Sequence, residues 1–177
     1  MKNKLIFRQI PTTGYAKCLR TILPLASLVG LIFFAGPGSA AELPFAGRIQ
    51  GSFVANPTSD PNVYVGGAQA AGIATHLGAF TKVTSDVSNI ATGAVNGAFT
   101  MTAPNGDLLQ GVYNGFIVPG DAPGTFSWVL NATFTGGTGR FLHAAGEFVF
   151  MAQGHYDVVD GVIHGIYSES FDGTINY

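Results

Sequence analysis

Cysteine is absent from the part of this chain that is expected to be the mature protein. The one cysteine, Cys18, lies in an N-terminal segment that has the features of an export signal. Residues 41–177 therefore have no disulfide, no thiol nucleophile and no thiolate metal ligand. Stability after export must come from the burial of side chains.

Basic residues are also scarce. The chain has 8 lysine and arginine residues against 10 aspartate and glutamate residues, and most of the basic ones precede residue 41. Only Arg48, Lys82 and Arg140 follow, which gives residues 41–177 a net charge of −7 with neutral histidines. Nucleic-acid binding requires a basic face that neutralises phosphates, so we expect no nucleic-acid partner.

The first forty residues predict an export signal. Basic residues are followed by the apolar stretch 21–35 and then by small residues before Ala41, where cleavage is expected. The stretch contains Pro24 and is shorter than the ~20 residues that span a bilayer, so we expect no stable membrane span. The interpretation is a signal peptide at 1–40 and a single exported domain at 41–177, periplasmic or extracellular.

Helical spacing of apolar residues is nearly absent after the signal, and period-two alternation is found instead. In 125–134, Phe126, Trp128, Leu130 and Phe134 alternate with mostly polar residues, which is typical of a half-buried strand. Strands are expected at 45–55, 72–82, 95–103, 108–117, 125–134, 146–153, 161–171 and 173–177. Polar loops are expected at 56–62 and 84–91.

Many short strands with hairpin-like turns indicate a β-sandwich or a β-barrel. Asn105-Gly106 supplies the positive φ angles that tight hairpins require. The frequent glycines, 25 in the chain, favour a barrel, because glycine inside a strand permits the coiling that closes a small sheet. The predicted fold class is all-β, a small closed antiparallel barrel of about eight strands.

Four segments carry a family resemblance: 74–81 (ATHLGAFT), 103–115 (APNGDLLQGVYNG), 136–148 (GGTGRFLHAAGEF) and 173–177 (GTINY). In this order they resemble bacterial secreted proteins of the allene-oxide-cyclase barrel-like family. The third segment also resembles plant dirigent proteins, which share the barrel. The resemblance implies an eight-stranded antiparallel barrel with an apolar interior and no particular activity.

The resemblance transfers no catalytic residue. Plant allene oxide cyclases use a carboxylate on the first strand, whereas 45–55 offers Arg48, Gln50 and Ser52 but no carboxylate. Dirigent proteins position aspartates and an arginine around their substrate. Asp107 and Arg140 match those residue types, but both lie in turn motifs.

Four residues are candidates for ligand binding. His76 shares strand parity with Phe80 and either orients a ligand group or has a structural role in a turn. Tyr113 offers a hydroxyl, and Trp128 either lines a pocket or packs in the core. Glu147 is either a solvated exterior carboxylate or an interior one with a raised pKa, suited to acid–base chemistry.

A cluster of metal-ligand types occurs at His155, Asp157, Asp160 and His164. The same segment is equally typical of a solvated hairpin turn, and we predict no metal site. The glycine-rich 136–139 lacks the Lys-Ser/Thr ending and the following helix of a phosphate loop. No cofactor is therefore expected.

The sequence is compatible with three functions. The favoured one is an exported barrel that binds a small apolar molecule in its interior. The first alternative is a cyclase, isomerase or coupling-guiding enzyme that acts on an apolar substrate, and the second is a structural or interaction barrel with a filled core. A homo-oligomer is compatible with each of them.

Export can be tested directly. We expect N-terminal sequencing of the exported protein to begin at or near Ala41, because the basic, apolar and small-residue zones end there. A mature N-terminus before Ile32 would contradict this prediction.

Overall fold

The computed structural model describes residues 41–177, so the expected signal peptide lies outside the described residues. These residues form β1 (Leu43–Pro57), β2 (Val63–Ala74), β3 (Gly78–Asn89), β4 (Ala94–Thr102), β5 (Leu108–Pro119), β6 (Thr125–Gly137), a short 3₁₀ segment (Gly139–Phe141), β7 (Glu147–Val159) and β8 (Val162–Ile175). Every strand pairs antiparallel with the next, and β8 pairs with β1, which closes the barrel. The predicted fold class is confirmed. Between residues 41 and 177 there is no helix of the length and hydropathy that a membrane span requires.

The antiparallel order places alternate connections at opposite ends of the barrel. The connections β2–β3, β4–β5 and β6–β7 lie at one end, which we call the closed end, and the others lie at the open end. Tight turns make most of them short. Asp160 and Gly161 both have positive φ, 52° and 81°, as a two-residue hairpin turn with the twist of its strands requires.

Phenylalanine rings fill the half of the barrel next to the closed end. Their centroids lie 4.6–6.2 Å apart in edge-to-face and stacked arrangements. The buried rings are Phe45, Phe80, Phe99, Phe134, Phe148, Phe150 and Phe171. Leu77, Phe141 and Ile175, all buried, cover this cluster at the closed end. This half of the interior is a packed hydrophobic core.

Inward glycines make room for these rings. Gly111 on β5 pairs with Phe99 on β4, and a Cβ at Gly111 would collide with the Phe99 ring. Gly47 on β1 stands in the same relation to Phe171 on β8. Because an eight-stranded barrel is only just wide enough for its side chains, large and small residues must face each other across neighbouring strands.

The strand boundaries differ from those predicted from the sequence in two regions, between β1 and β4 and at β8. The expected strand 72–82 is the end of β2 and the start of β3, separated by a turn at 75–77. The expected loop 84–91 is largely the continuation of β3. The segments 161–171 and 173–177 belong to the single strand β8, apart from Gly161 and the last two residues, so the total of eight strands was right for partly wrong reasons.

The packed half of the core sets a stability prediction. Phe148 is 3 % exposed and lies among Phe45, Phe134 and Phe171. Phe148→Ala should therefore lower the free energy of unfolding by about 3–5 kcal/mol in urea titrations. Phe116→Ala, at a ring that is 61 % exposed on the outer face, is the control and should change it by less than about 0.5 kcal/mol. Similar losses for both variants would contradict the inward and outward assignment.

Candidate functional site

A cavity of about 660 Å³ occupies the half of the barrel next to the open end. Its lining comes from all eight strands and from the β3–β4 connection. Ile90 and Thr92 in that connection are exposed, so the cavity reaches the surface there. The packed phenylalanine core forms its inner boundary.

Aromatic and aliphatic side chains make up most of the cavity wall. The inward aromatic residues of the lining are Phe53, Tyr64, Tyr113, Phe126, Trp128, Phe150, Tyr156 and Tyr167. Several of these rings contact one another, and Phe126 stacks on Trp128 with centroids 5.1 Å apart. On β1 and β2 the lining also includes the small residues Ala55, Gly67 and Ala68, which lie beside Phe53 and Tyr64 and leave space in the cavity.

A buried ion pair lies where the cavity meets the packed core. Lys82 on β3 and Glu169 on β8 are 3 % and 4 % exposed, and the Lys82 ammonium donates a hydrogen bond to Glu169 Oε1. Trp128 Nε1–H donates to the other carboxyl oxygen, Oε2, at 3.2 Å. Lys82 Nζ also lies 4.1 Å from the centroid of the Phe150 ring. Both oxygens of the Glu169 carboxyl are thus held in place.

A second polar group lies on the cavity wall nearer to the opening. The Tyr113 hydroxyl on β5 donates to Asp86 Oδ2 on β3 at 2.9 Å. The Thr84 hydroxyl lies 3.5 Å from the same oxygen and also accepts the backbone N–H of Ala68 at 2.9 Å. Gly97, between Asp86 and Tyr113 in the sheet, leaves the space that the tyrosine ring occupies.

Burial shifts the pKa values of these groups. Desolvation raises the pKa of Asp86, although the hydrogen bond from Tyr113 opposes the shift. Desolvation likewise raises the pKa of Glu169 and lowers the pKa of Lys82, while the attraction between these two opposes both shifts. Burial also raises the pKa of the Tyr113 and Tyr167 hydroxyls, and the Tyr113 hydroxyl donates its proton to the hydrogen bond with Asp86.

Two of the four sequence candidates lie in the cavity lining. Tyr113 and Trp128 both face the interior, and each donates a hydrogen bond to a carboxyl of the lining. The structure thus brings them into one cavity, where Tyr113 is bonded to Asp86 and Trp128 is bonded to Glu169. Their role in ligand binding stays a prediction.

His76 lies elsewhere, in the β2–β3 turn at the closed end, with a φ of 64°. Its Nε2 lies 3.0 Å from the Pro44 carbonyl oxygen, which can only accept, and its Nδ1 lies 3.2 Å from the Tyr177 hydroxyl. Its own carbonyl accepts a hydrogen bond from Arg140 at 2.7 Å. The expected strand parity with Phe80 was wrong, because the chain turns at this residue.

Glu147 is exposed on the outer face at the start of β7. Phe148 and Phe150 on the same strand point inward, so alternation directs Glu147 outward. Of the two interpretations of this residue, the geometry fits the solvated exterior carboxylate, and the interior one was wrong.

Sequence reasoning missed Lys82, Asp86 and Glu169. A signal for them was present: Lys82 and Asp86 share parity with Phe80, and Glu169 lies between Tyr167 and Phe171 at the same spacing. That signal was hidden for Asp86 because the polar run after Lys82 was taken for a loop.

The described residues offer no cluster of three or more His, Cys, Asp or Glu side chains that could hold a metal ion. His155, Asp157 and His164 are exposed on the outer face of β7 and β8 near the open end.

Asp107 and Arg140 form an ion pair at 3.7 Å in the turns of the closed end, away from the cavity lining.

Comparisons with known proteins give one structural likeness. The fold is similar to that of a pterocarpan synthase dirigent protein, at 15 % sequence identity and a TM-score of 0.35, over 78 % of this chain and 88 % of that one. No family model matches the chain, and no curated protein matches it. Membership of the allene-oxide-cyclase barrel-like family therefore stays a prediction, and the function must be argued from the cavity.

The raised pKa of Asp86 predicts a pH-dependent stability. A carboxyl whose pKa is higher in the folded protein than its ordinary value of 3.8 weakens folding as the pH rises above that value, because the unfolded chain loses its proton first. Asp86→Asn keeps the size and removes the titration. Its stability relative to wild type should therefore improve as the pH rises from about 4 to about 7.

Urea unfolding at the two pH values measures this change. Asp121→Asn, in the exposed β5–β6 connection, is the matched control, and its difference from wild type should stay constant. A constant difference for Asp86→Asn as well would contradict the assignment of Asp86 as a desolvated carboxyl.

Proposed function

We propose that this barrel binds one small, neutral, largely apolar molecule in the cavity at its open end. The observation that carries the proposal is the cavity itself, with a volume inside the range of about 300–1,000 Å³ that is typical of small-molecule sites. A wall of aromatic rings surrounds two sets of fixed polar groups. Such a combination is suited to an apolar body with one or two hydrogen-bonding groups.

The charges in the cavity argue against an anionic ligand. Within residues 41–177, Lys82 is the one cation of the lining, and its ammonium is already paired with Glu169. Asp86 adds a further carboxyl on the wall. A buried phosphate would lack a free cationic partner and would lie near these carboxyls, which costs several kcal/mol.

The polar groups give the cavity its means of selection. Tyr113 and Asp86 lie close to the opening of the cavity. Lys82, Glu169 and Trp128 lie at the inner boundary of the cavity, next to the packed core. A ligand hydroxyl or carbonyl that reaches either set can replace part of the hydration lost on entry. Each such hydrogen bond contributes about 0.5–1.5 kcal/mol.

The expected export would place this binding in the periplasm or outside the cell, and it stays a prediction. The polar groups facing the cavity are also compatible with catalysis.

A pair of variants on β2 tests the proposal. Ala68 lines the cavity, so Ala68→Phe would place a ring in it, whereas Ala71 on the same strand faces outward and is exposed. The probe is Nile red, a neutral apolar dye whose fluorescence rises on binding. We expect Ala68→Phe to weaken its binding by about tenfold or more, and Ala71→Phe to leave it unchanged.

Ligand charge provides the second arm of the experiment. 1-Naphthol should raise the thermal unfolding midpoint of wild type, whereas 1-naphthyl phosphate should not, because the cavity offers no free cation. Equal dye binding by both variants, or preferential stabilisation by the phosphate, would overturn the proposal.

A further inference from the structure

Lysine occurs once in residues 41–177, and that lysine lies inside the barrel. A surface lysine keeps its hydration, whereas burying an ammonium and a carboxylate costs several kcal/mol per ion in desolvation, which their mutual attraction repays only with excellent geometry. Well-packed apolar residues at Lys82 and Glu169 would often give equal or greater stability. The position of this amine therefore suggests chemistry rather than stability.

The surroundings of Lys82 deprive its amine of water. Its Nζ lies 4.1 Å from the centroid of the Phe150 ring and 5.7 Å from that of Tyr167. Ala70 on β2 is the residue that pairs with Lys82. Its small side chain leaves space for the Lys82 side chain to extend from β3 towards Glu169. The amine thus faces a carboxyl and aromatic rings at the inner boundary of the cavity.

Burial brings the uncharged form of the pair closer in free energy to the ion pair. Burial lowers the pKa of Lys82 and raises the pKa of Glu169, and desolvation is the largest cause in both. Both shifts reduce the free energy needed to move the proton from Lys82 to Glu169, which gives the amine its lone pair. A desolvated lysine in an apolar pocket is a nucleophile towards carbonyl groups.

The carboxyl is held for proton transfer. Trp128 Nε1–H binds Oε2 of Glu169 at 3.2 Å, which leaves Oε1 directed at the lysine nitrogen. An acid fixed beside an amine can protonate a carbonyl oxygen as the nitrogen attacks.

We propose that Lys82 forms a reversible imine with an apolar aldehyde bound in the cavity, with Glu169 as the proton donor and acceptor. The inference rests on the proposed function, because the aldehyde must first occupy the same cavity. The apolar body of the aldehyde would lie against the aromatic wall, and its carbonyl would reach the inner boundary.

The reaction balances without any other reactant. The lysine nitrogen forms a bond to the carbonyl carbon, and the carbonyl oxygen takes the proton of Glu169. The nitrogen then returns a proton to Glu169, which leaves a neutral carbinolamine. Glu169 next protonates the hydroxyl group, the carbon–oxygen bond breaks, and water leaves as the nitrogen lone pair forms the carbon–nitrogen double bond. The Glu169 carboxylate then pairs with the protonated imine, in place of the ammonium.

Reductive trapping tests the inference. Cinnamaldehyde with sodium cyanoborohydride should add the mass of the aldehyde less one oxygen atom, and peptide mapping should place the label on Lys82. Lys82→Arg keeps a cation beside Glu169 but cannot form an imine, so it should lose this label. The N-terminal amine is the internal reference for labelling outside the cavity.

If Lys82→Arg fails to fold, the two β2 variants, Ala68→Phe and Ala71→Phe, test the inference instead. Ala68→Phe should slow the labelling of Lys82 by about tenfold or more without affecting the N-terminal amine, and Ala71→Phe should affect neither. Labelling confined to the N-terminal amine would overturn the inference. Labelling of Lys82 at the same rate in wild type, Ala68→Phe and Ala71→Phe would also overturn it.

Cinnamyl alcohol, which lacks the carbonyl, separates this inference from the proposed function. If the alcohol raises the unfolding midpoint of wild type and Lys82 stays unlabelled by the aldehyde, the imine is overturned and cavity binding is supported. If the alcohol gives no shift and Lys82 stays unlabelled, both proposals fail.

Discussion

The narrow interior of a closed eight-stranded barrel limits how many large side chains can point inward, and the positions of the core and the cavity depend on this limit. The chain meets this limit by setting inward glycines opposite inward aromatic rings, as at Gly111 with Phe99 and at Gly47 with Phe171. A side chain at either glycine would displace the ring beside it. The pairing of small and large residues across neighbouring strands therefore decides where the interior is filled and where it is open.

The division of the interior follows from this pairing. Towards the closed end, interlocked phenylalanines leave no room for a ligand, and Leu77, Phe141 and Ile175 cover them. Towards the open end, β1 and β2 contribute Ala55, Gly67 and Ala68 beside only two rings, Phe53 and Tyr64, and a cavity of about 660 Å³ results. One half thus supplies most of the hydrophobic stabilisation, and the other half is available for binding.

The buried charges lie at the boundary of these two halves. Lys82 and Glu169 combine the desolvation of the packed core with access to the cavity, a combination found neither at the surface nor in the middle of the core. The surface charges have no such environment: the Asp107–Arg140 ion pair, in the turns of the closed end, is partly hydrated. The environment of each charge, more than its residue type, decides which groups can take part in chemistry.

The sequence by itself determined the fold class, the place of the turn between β4 and β5, and the inward face of β6, because strong alternation and turn chemistry are local signals. The geometry of that turn differs from the expectation, since Gly106 has a positive φ of 89° and Asn105 does not. The expected solvated turn at 154–161 is mostly the end of β7, and the chain turns only at Asp160 and Gly161. It missed most of β2, whose alanines and glycines have little strand propensity. It also missed the end of β3, where Thr84, Asp86 and Ser88 face a cavity rather than a dry core, so the inward positions are polar. Only the tertiary structure decided that Lys82 and Glu169 meet, because they are 87 positions apart in the chain and are joined only by closure of the barrel.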